Sequence, residues 1–210
     1  MSPQDGASGL QAWFQSAHEA REAGLRNCRA LIQSASKCIK HVHRKQFAEA
    51  DHFLKTSQQL VADTKALLSS YPELLYAGFF QDAEKEYVEA AKLIEWVRPG
   101  GSDVTEQDLG VSPVSYLNGS AEAASECRRL VLDELRAGKW DEAERLFAIM
   151  EGCYEELVTF DFPDGLTGGL RRSCDALRAV IERTRADLTL TKIQAELTTE
   201  LRLRAEPHTL

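Results

Sequence analysis

Two pairs of glutamates have the spacing that cation chemistry needs. Glu86 and Glu89 stand three residues apart, and Glu122 and Glu126 four apart. On a helix either spacing sets both carboxylates on one face. Asp82 precedes the first pair on its face, which runs from Phe79 to Leu93 and Trp96. The second pair lies beside the apolar line Leu117, Ala121, Ala124 and Val131. If the two helices pack as antiparallel neighbours, the four acids converge. Hard cations such as Mg²⁺ or Mn²⁺ take oxygen ligands, and a cation held this way activates water and offsets charge at a phosphate. The plainer reading is a solvated acidic face, because a chain with 33 acidic residues makes such pairs by chance. A carboxylate di-iron bundle draws a Glu-x-x-His motif from each of two helices, and the single match here, Glu49 to His52, does not make that pair, which disfavours oxygen chemistry.

A basic stripe supplies the second candidate. Arg26, Arg29, Lys37, Lys40 and Arg44 recur at helical steps, interrupted by Gln33, and His41, His43 and Lys45 cluster at the end. No acid occurs between Arg26 and Lys45. In a chain of net charge −8 that segregation suits a surface tracking a nucleic-acid backbone. A solvated face, or one paired with a neighbour's acids, fits equally well. Farther along, Arg171, Asp175, Arg178, Glu182 and Arg185 alternate in sign, as ion pairs within and between helices do.

Other chemistries find no support. Gly168-Gly169 lacks the Lys-Ser/Thr of a phosphate loop. His18, His52 and His208 are isolated. Cys28, Cys38, Cys127, Cys153 and Cys174 are odd in number, with no Cys-x-x-Cys pair, so packing thiols in a reducing cytoplasm are expected. The start, Met1-Ser2-Pro3-Gln4-Asp5, does not read as a signal peptide, and no apolar run is long enough for a membrane span.

The elements that must carry these residues are helices. Gly and Pro are sparse, and long stretches contain neither. The periodicity predicts helices over roughly 8–43, 46–70, 72–97, 113–136, 139–159 and 167–199, with a short turn near 105–109. Pro72 and Pro113 suit first turns, with Ser112 as N-cap, and Pro99-Gly100-Gly101 and Gly138 act as stops. Phe47-Ala48-Glu49-Ala50 is echoed by Trp140-Asp141-Glu142-Ala143. The echo is too widely spaced for a solenoid, and reads as one packing device used in two hairpins. A single all-α domain over 1–210 is expected, ordered over about 8–199, with a frayed tail over 200–210 that includes Ala205 to His208.

Three segments resemble the translin and translin-associated factor X (TRAX) family, especially its archaeal members. They are Glu86-Tyr87-Val88-Glu89-Ala90; Ser115-Tyr116-Leu117-Asn118-Gly119 with its trailing Glu122 and Glu126; and Phe162 through Arg172, continuing to Leu188. The similarity spans about residues 20 to 195. It implies an all-α bundle of about seven helices assembling into a hollow homo-octamer with nucleic acid inside. Members of the TRAX branch are Mg²⁺- or Mn²⁺-dependent endoribonucleases, whereas translin itself mainly binds RNA and single-stranded DNA. By this resemblance Glu86, Glu89, Glu122 and Glu126 are the metal-binding and catalytic acids. The family's Asp stands here as Glu122, one methylene longer. The expectation is therefore a cytoplasmic endoribonuclease that binds single-stranded RNA or DNA, alone or with a translin-like paralogue. A non-catalytic nucleic-acid-binding shell is the alternative.

Overall fold

A computed structural model describes residues 3–205. Of the tail expected to fray over 200–210, the part up to Ala205 continues the last helix, a correction to that expectation; the rest, with His208, lies outside the described residues, as do Met1 and Ser2. The described chain forms α1 (Pro3–His43), α2 (Phe47–Leu68), α3 (Pro72–Leu75), α4 (Gly78–Val97), α5 (Glu106–Leu109), α6 (Pro113–Arg136), α7 (Trp140–Leu157), α8 (Asp164–Thr167) and α9 (Leu170–Ala205). There is no strand among the described residues, so the fold is all-α. No helix is long and apolar enough to cross a membrane among the described residues.

Boundaries follow local chemistry where the signals are strong. The Ser112 hydroxyl accepts from the Ser115 amide and Pro113 opens α6, as its sequence predicts. Thr105 and Asp108 cap each other's backbone around α5. Two differences stand out. The expected continuous helix from Pro72 breaks, because Ala77 is extended (φ −72, ψ 146) before α4 begins. The last helix starts at Leu170 rather than 167, because Gly168 and Gly169 both take positive φ and turn the chain after α8.

Residue pairing gives the topology. Gly24 meets Leu68, and the Ser34 hydroxyl donates to the Phe53 carbonyl, so α1 and α2 are antiparallel. The Ser115 hydroxyl donates to the Gln81 carbonyl and Gly119 lies against Lys85 and Val88, so α4 and α6 run parallel. The antiparallel packing that the sequence reading set as the condition for the acids to converge is therefore not the one found. Ser173 bonds Asn118 and Arg128 bonds Asp187, making α6 and α9 parallel as well. In contact order α1, α4, α6 and α9 form one layer, with α2 on α1 and α4 and α7 on α6 and α9.

The parallel pairing requires the chain to return along α4 before α6 starts. Residues 98–112 do this as a pinned strap. Glu95 accepts from the Ser102 amide, Lys92 donates to Asp103, the Tyr116 hydroxyl donates to the Val104 carbonyl, and Glu84 accepts from the Ser112 amide. Apolar residues on the facing sides, among them Leu31, Tyr87, Leu93, Leu130, Leu146 and Leu177, fill the interior. The echoed segments do share a device, since Ala50 and Ala143 are both fully buried.

Candidate metal and nucleic-acid site

On α4 and α6 the acids point away from the faces that carry α2 and α7. Glu86, Glu89 and Glu122 each offer a carboxylate oxygen, and these oxygens lie within 4.8 Å of one another. All three are half-buried. Two helices can bring them this close because Gly119 lets the backbones touch. A Cβ there would stand 2.6 Å from the Lys85 carbonyl oxygen and 2.7 Å from the Val88 Cβ.

Crowded carboxylates resist ionisation. Burial, then the charges of Glu86, Glu122 and Glu126, push Glu89 up to about 8. Burial, then Glu122, raise Glu86 as well. A divalent cation is a better neutraliser here than a proton, because it satisfies several oxygens at once. The donor set is all oxygen, with no thiol or imidazole among the three, and so fits Mg²⁺ or Mn²⁺.

Glu126 does not join this group of three. Its Oε1 lies 2.5 Å from the Nε2 of His43, whose side chain is 5% exposed. The sequence places His43 in a basic surface cluster; the structure turns its ring inward between α1 and α6. His43 Nδ1 is buried without a hydrogen-bond partner among the described residues. Lys45 likewise reaches across to Glu134. Lys85, which the sequence gives no reason to single out, pairs with Glu122 at 2.9 Å. Its helical phase one residue before Glu86 was the only available signal.

Arg26, Arg29, Lys37, Lys40 and Arg44 are all exposed, on the side of α1 opposite its core residues Leu31, Ala35 and Val42. None of the five forms an ion pair among the described residues. Lys37 leans over the Phe53 ring at 5.4 Å, and His41 stacks on that ring. The stripe and the acids are separate features, linked through His43 on the flank of α1. The alternating stripe of α9 is structural: Arg178 pairs with Glu182, Arg185 with Glu151 on α7, and Arg171 with Asp161.

The cysteines are packing residues. Cys28, Cys38, Cys127 and Cys174 are buried, and burial pushes Cys28 to about 11 and Cys38 to about 12.

Known proteins share this architecture. No protein-family model matches the chain. An uncharacterized protein of Methanocaldococcus jannaschii is 28% identical over 171 residues, covering 80% of this chain and 74% of that one. AfC3PO solved with duplex RNA superposes with a TM-score of 0.83 at 34% identity, covering 90% of this chain and 97% of that one. AfC3PO alone gives 0.80 at 32% identity with the same coverage. Apo-NeC3PO, at 21% identity and a TM-score of 0.80 over 91% of this chain and 98% of its own, shares the fold. Identity above 30% across nearly the whole chain, on the same helical order, places it: the chain belongs to the translin/TRAX family, the family of C3PO.

Proposed function

We propose that the protein is an RNA-binding shell that cleaves phosphodiesters at the Glu86–Glu89–Glu122 cluster. The observation that carries the reading is three carboxylate oxygens from two helices within 4.8 Å, where burial and the neighbouring carboxylates push Glu89 up to about 8. Glu86, Glu89 and Glu122 would hold Mg²⁺ or Mn²⁺, which supplies Lewis-acid stabilisation of phosphate charge and activation of water. In this reading Glu126, oriented by His43, stands beside the cluster as the carboxylate that accepts the proton of attacking water. Lys85 holds Glu122 in place through their ion pair.

The family relative bound to duplex RNA supports RNA as the ligand. We take flexible single strands as the cleaved form, since a strand must bend into the α4–α6 face to reach the acids. Arg26, Arg29, Lys37, Lys40 and Arg44 would track the backbone at the edge of the layer. Assembly into a hollow homo-octamer, alone or with a translin-like paralogue, fits the exposed apolar stripe Leu190, Ile193, Leu197 and Leu201 on α9. The deciding experiment is a cleavage assay on single-stranded RNA with and without Mn²⁺. Wild type should cut only with the metal, and Glu89→Ala should lose cleavage by at least about a hundredfold while still binding RNA.

One observation favours the non-catalytic binding shell. Lys85 already neutralises Glu122, and His43 already bonds Glu126, so two of the four acids have partners without a cation. Wild-type protein that binds RNA but never cuts it in Mn²⁺ would establish that reading instead.

A further inference from the structure

Next to the glutamates, on the same face, a groove of about 400 Å³ runs from α4 and α6 to the start of α9. Lys85 and Glu122 form its end nearest the cluster, Ser125 and Asn118 part of its α6 wall, and Arg172 and Ser173 its far end. Arg172 is exposed and makes no ion pair among the described residues, whereas its neighbour Arg171 is bonded to Asp161. The Arg172 guanidinium folds back over Gly169, where a Cβ would stand 3.0 Å from its nearer terminal nitrogen. Gly169 also has φ +84, so glycine there serves both the turn and the approach of the guanidinium.

The end of the groove is rigidly built. Asn118, 6% exposed, donates through Nδ2 to the carbonyls of Val114 (3.0 Å) and Thr167 (2.8 Å). Its Oδ1 accepts from the Ser173 hydroxyl at 2.7 Å. One buried amide thus ties the α8–α9 turn, and with it Arg172, to the helix that carries Glu122. Gly168 packs so closely that a Cβ would meet Val114 Cγ1 at 2.6 Å. The turn that carries Arg172 is fixed in this way, and its exposed guanidinium, free of ion pairs among the described residues, presents the planar fork that oxyanions accept. On α4, Lys85 lies about one helical turn from Glu89, so a ligand filling the groove reaches the acids without a gap.

We infer that this groove is the subsite for the nucleotide adjoining the phosphodiester presented to the glutamates, with Arg172 holding that nucleotide's outer phosphate. The inference rests on the proposed function. Asp82 and Glu122 on the rim leave the groove short of uniform positive charge, which suits a sugar with hydroxyl donors between two phosphates.

The test compares Arg172→Ala with Arg171→Ala in full-length protein. Binding of a short single-stranded RNA is followed by fluorescence anisotropy over a salt series in EDTA, and Mn²⁺ binding by thermal shift. Arg172→Ala should weaken RNA binding by about tenfold and flatten the slope of log K against log salt by roughly 0.7. Arg171→Ala should match wild type in both, and all three proteins should keep the same Mn²⁺ response. Wild-type affinity and slope in Arg172→Ala overturn the subsite while leaving the proposed function intact. Equal losses in both variants also overturn it, since general charge would then suffice. Failure of wild type to bind RNA at all overturns the proposed function and the subsite together.

Discussion

Glu89→Gln keeps the side chain's size and removes the charge that the other carboxylates oppose. Burial, then Glu86, Glu122 and Glu126, raise Glu89 from 4.5 to about 8. That gap, at 1.36 kcal/mol per unit, corresponds to roughly 5 kcal/mol of opposition to the ionised form. The folded-state value is raised, so its stabilising contribution is complete below the unfolded value near 4.5. It is lost as pH rises toward 8. Without a divalent cation, wild type should therefore weaken between pH 5.5 and 8.5, and Glu89→Gln much less. The window from pH 5.5 to 8.5 covers roughly 3 kcal/mol of this, which for a chain of this length corresponds to a difference of about 6–12 °C in melting temperature. Differential scanning fluorimetry in EDTA, at fixed protein concentration, reads the gap directly. Adding Mn²⁺ at pH 8.5 should restore wild type, because the cation replaces the proton, and should leave Glu89→Gln nearly unchanged. If the melting temperatures of the two proteins fall in parallel from pH 5.5 to 8.5, within about 2 °C, the carboxylates do not repel one another as argued and the metal assignment fails with them.

Two further outcomes probe the frame and the surface. Gly119→Ala should cost roughly 1–3 kcal/mol by forcing α4 and α6 apart and should blunt the Mn²⁺ thermal shift, whereas Gly152→Ala, with nothing within 4 Å of the added Cβ, should not destabilise. Both are measured by urea unfolding. Lys37→Glu with Lys40→Glu should leave the melting temperature within a few degrees, since both are exposed, but weaken RNA binding by at least about tenfold at low salt; unchanged affinity would remove the stripe from the binding surface.

Much of the local structure was legible because its causes are local. Ser112 and Pro113 start α6, Gly138 ends the turn before α7, and the Glu86/Glu89 and Glu122/Glu126 spacings fix which side chains share a face. The break at Ala77 was not legible, since nothing in Tyr76-Ala77-Gly78 forbids a helix. It is tertiary packing that buries Phe80, 1% exposed, once α4 sets off in its own direction. His43 misled for a related reason. Next to His41, Arg44 and Lys45 it looks like part of a basic surface, but its phase on α1 points toward α6, and only the neighbour's position reveals Glu126 opposite it. Lys85 was marked only by its place beside Glu86, because its partner Glu122 is distant in sequence, and Arg172 stood out in no spacing pattern, because the groove it borders exists only once α6 and α9 pack.

The sequence by itself determined a helical chain of the translin/TRAX type, the faces on which its acids and bases lie, and the absence of a phosphate loop or cysteine metal motif. Periodicity and caps are set within one or two turns, so no further information was needed for these. Only the tertiary structure decided that α4 and α6 run parallel, that Glu86, Glu89 and Glu122 meet while Glu126 turns to His43, and that a groove ending at Arg172 adjoins them. Each depends on the strap of residues 98–112 and on the missing side chain of Gly119. Those set helix direction and separation, which the spacing of residues along one helix does not encode.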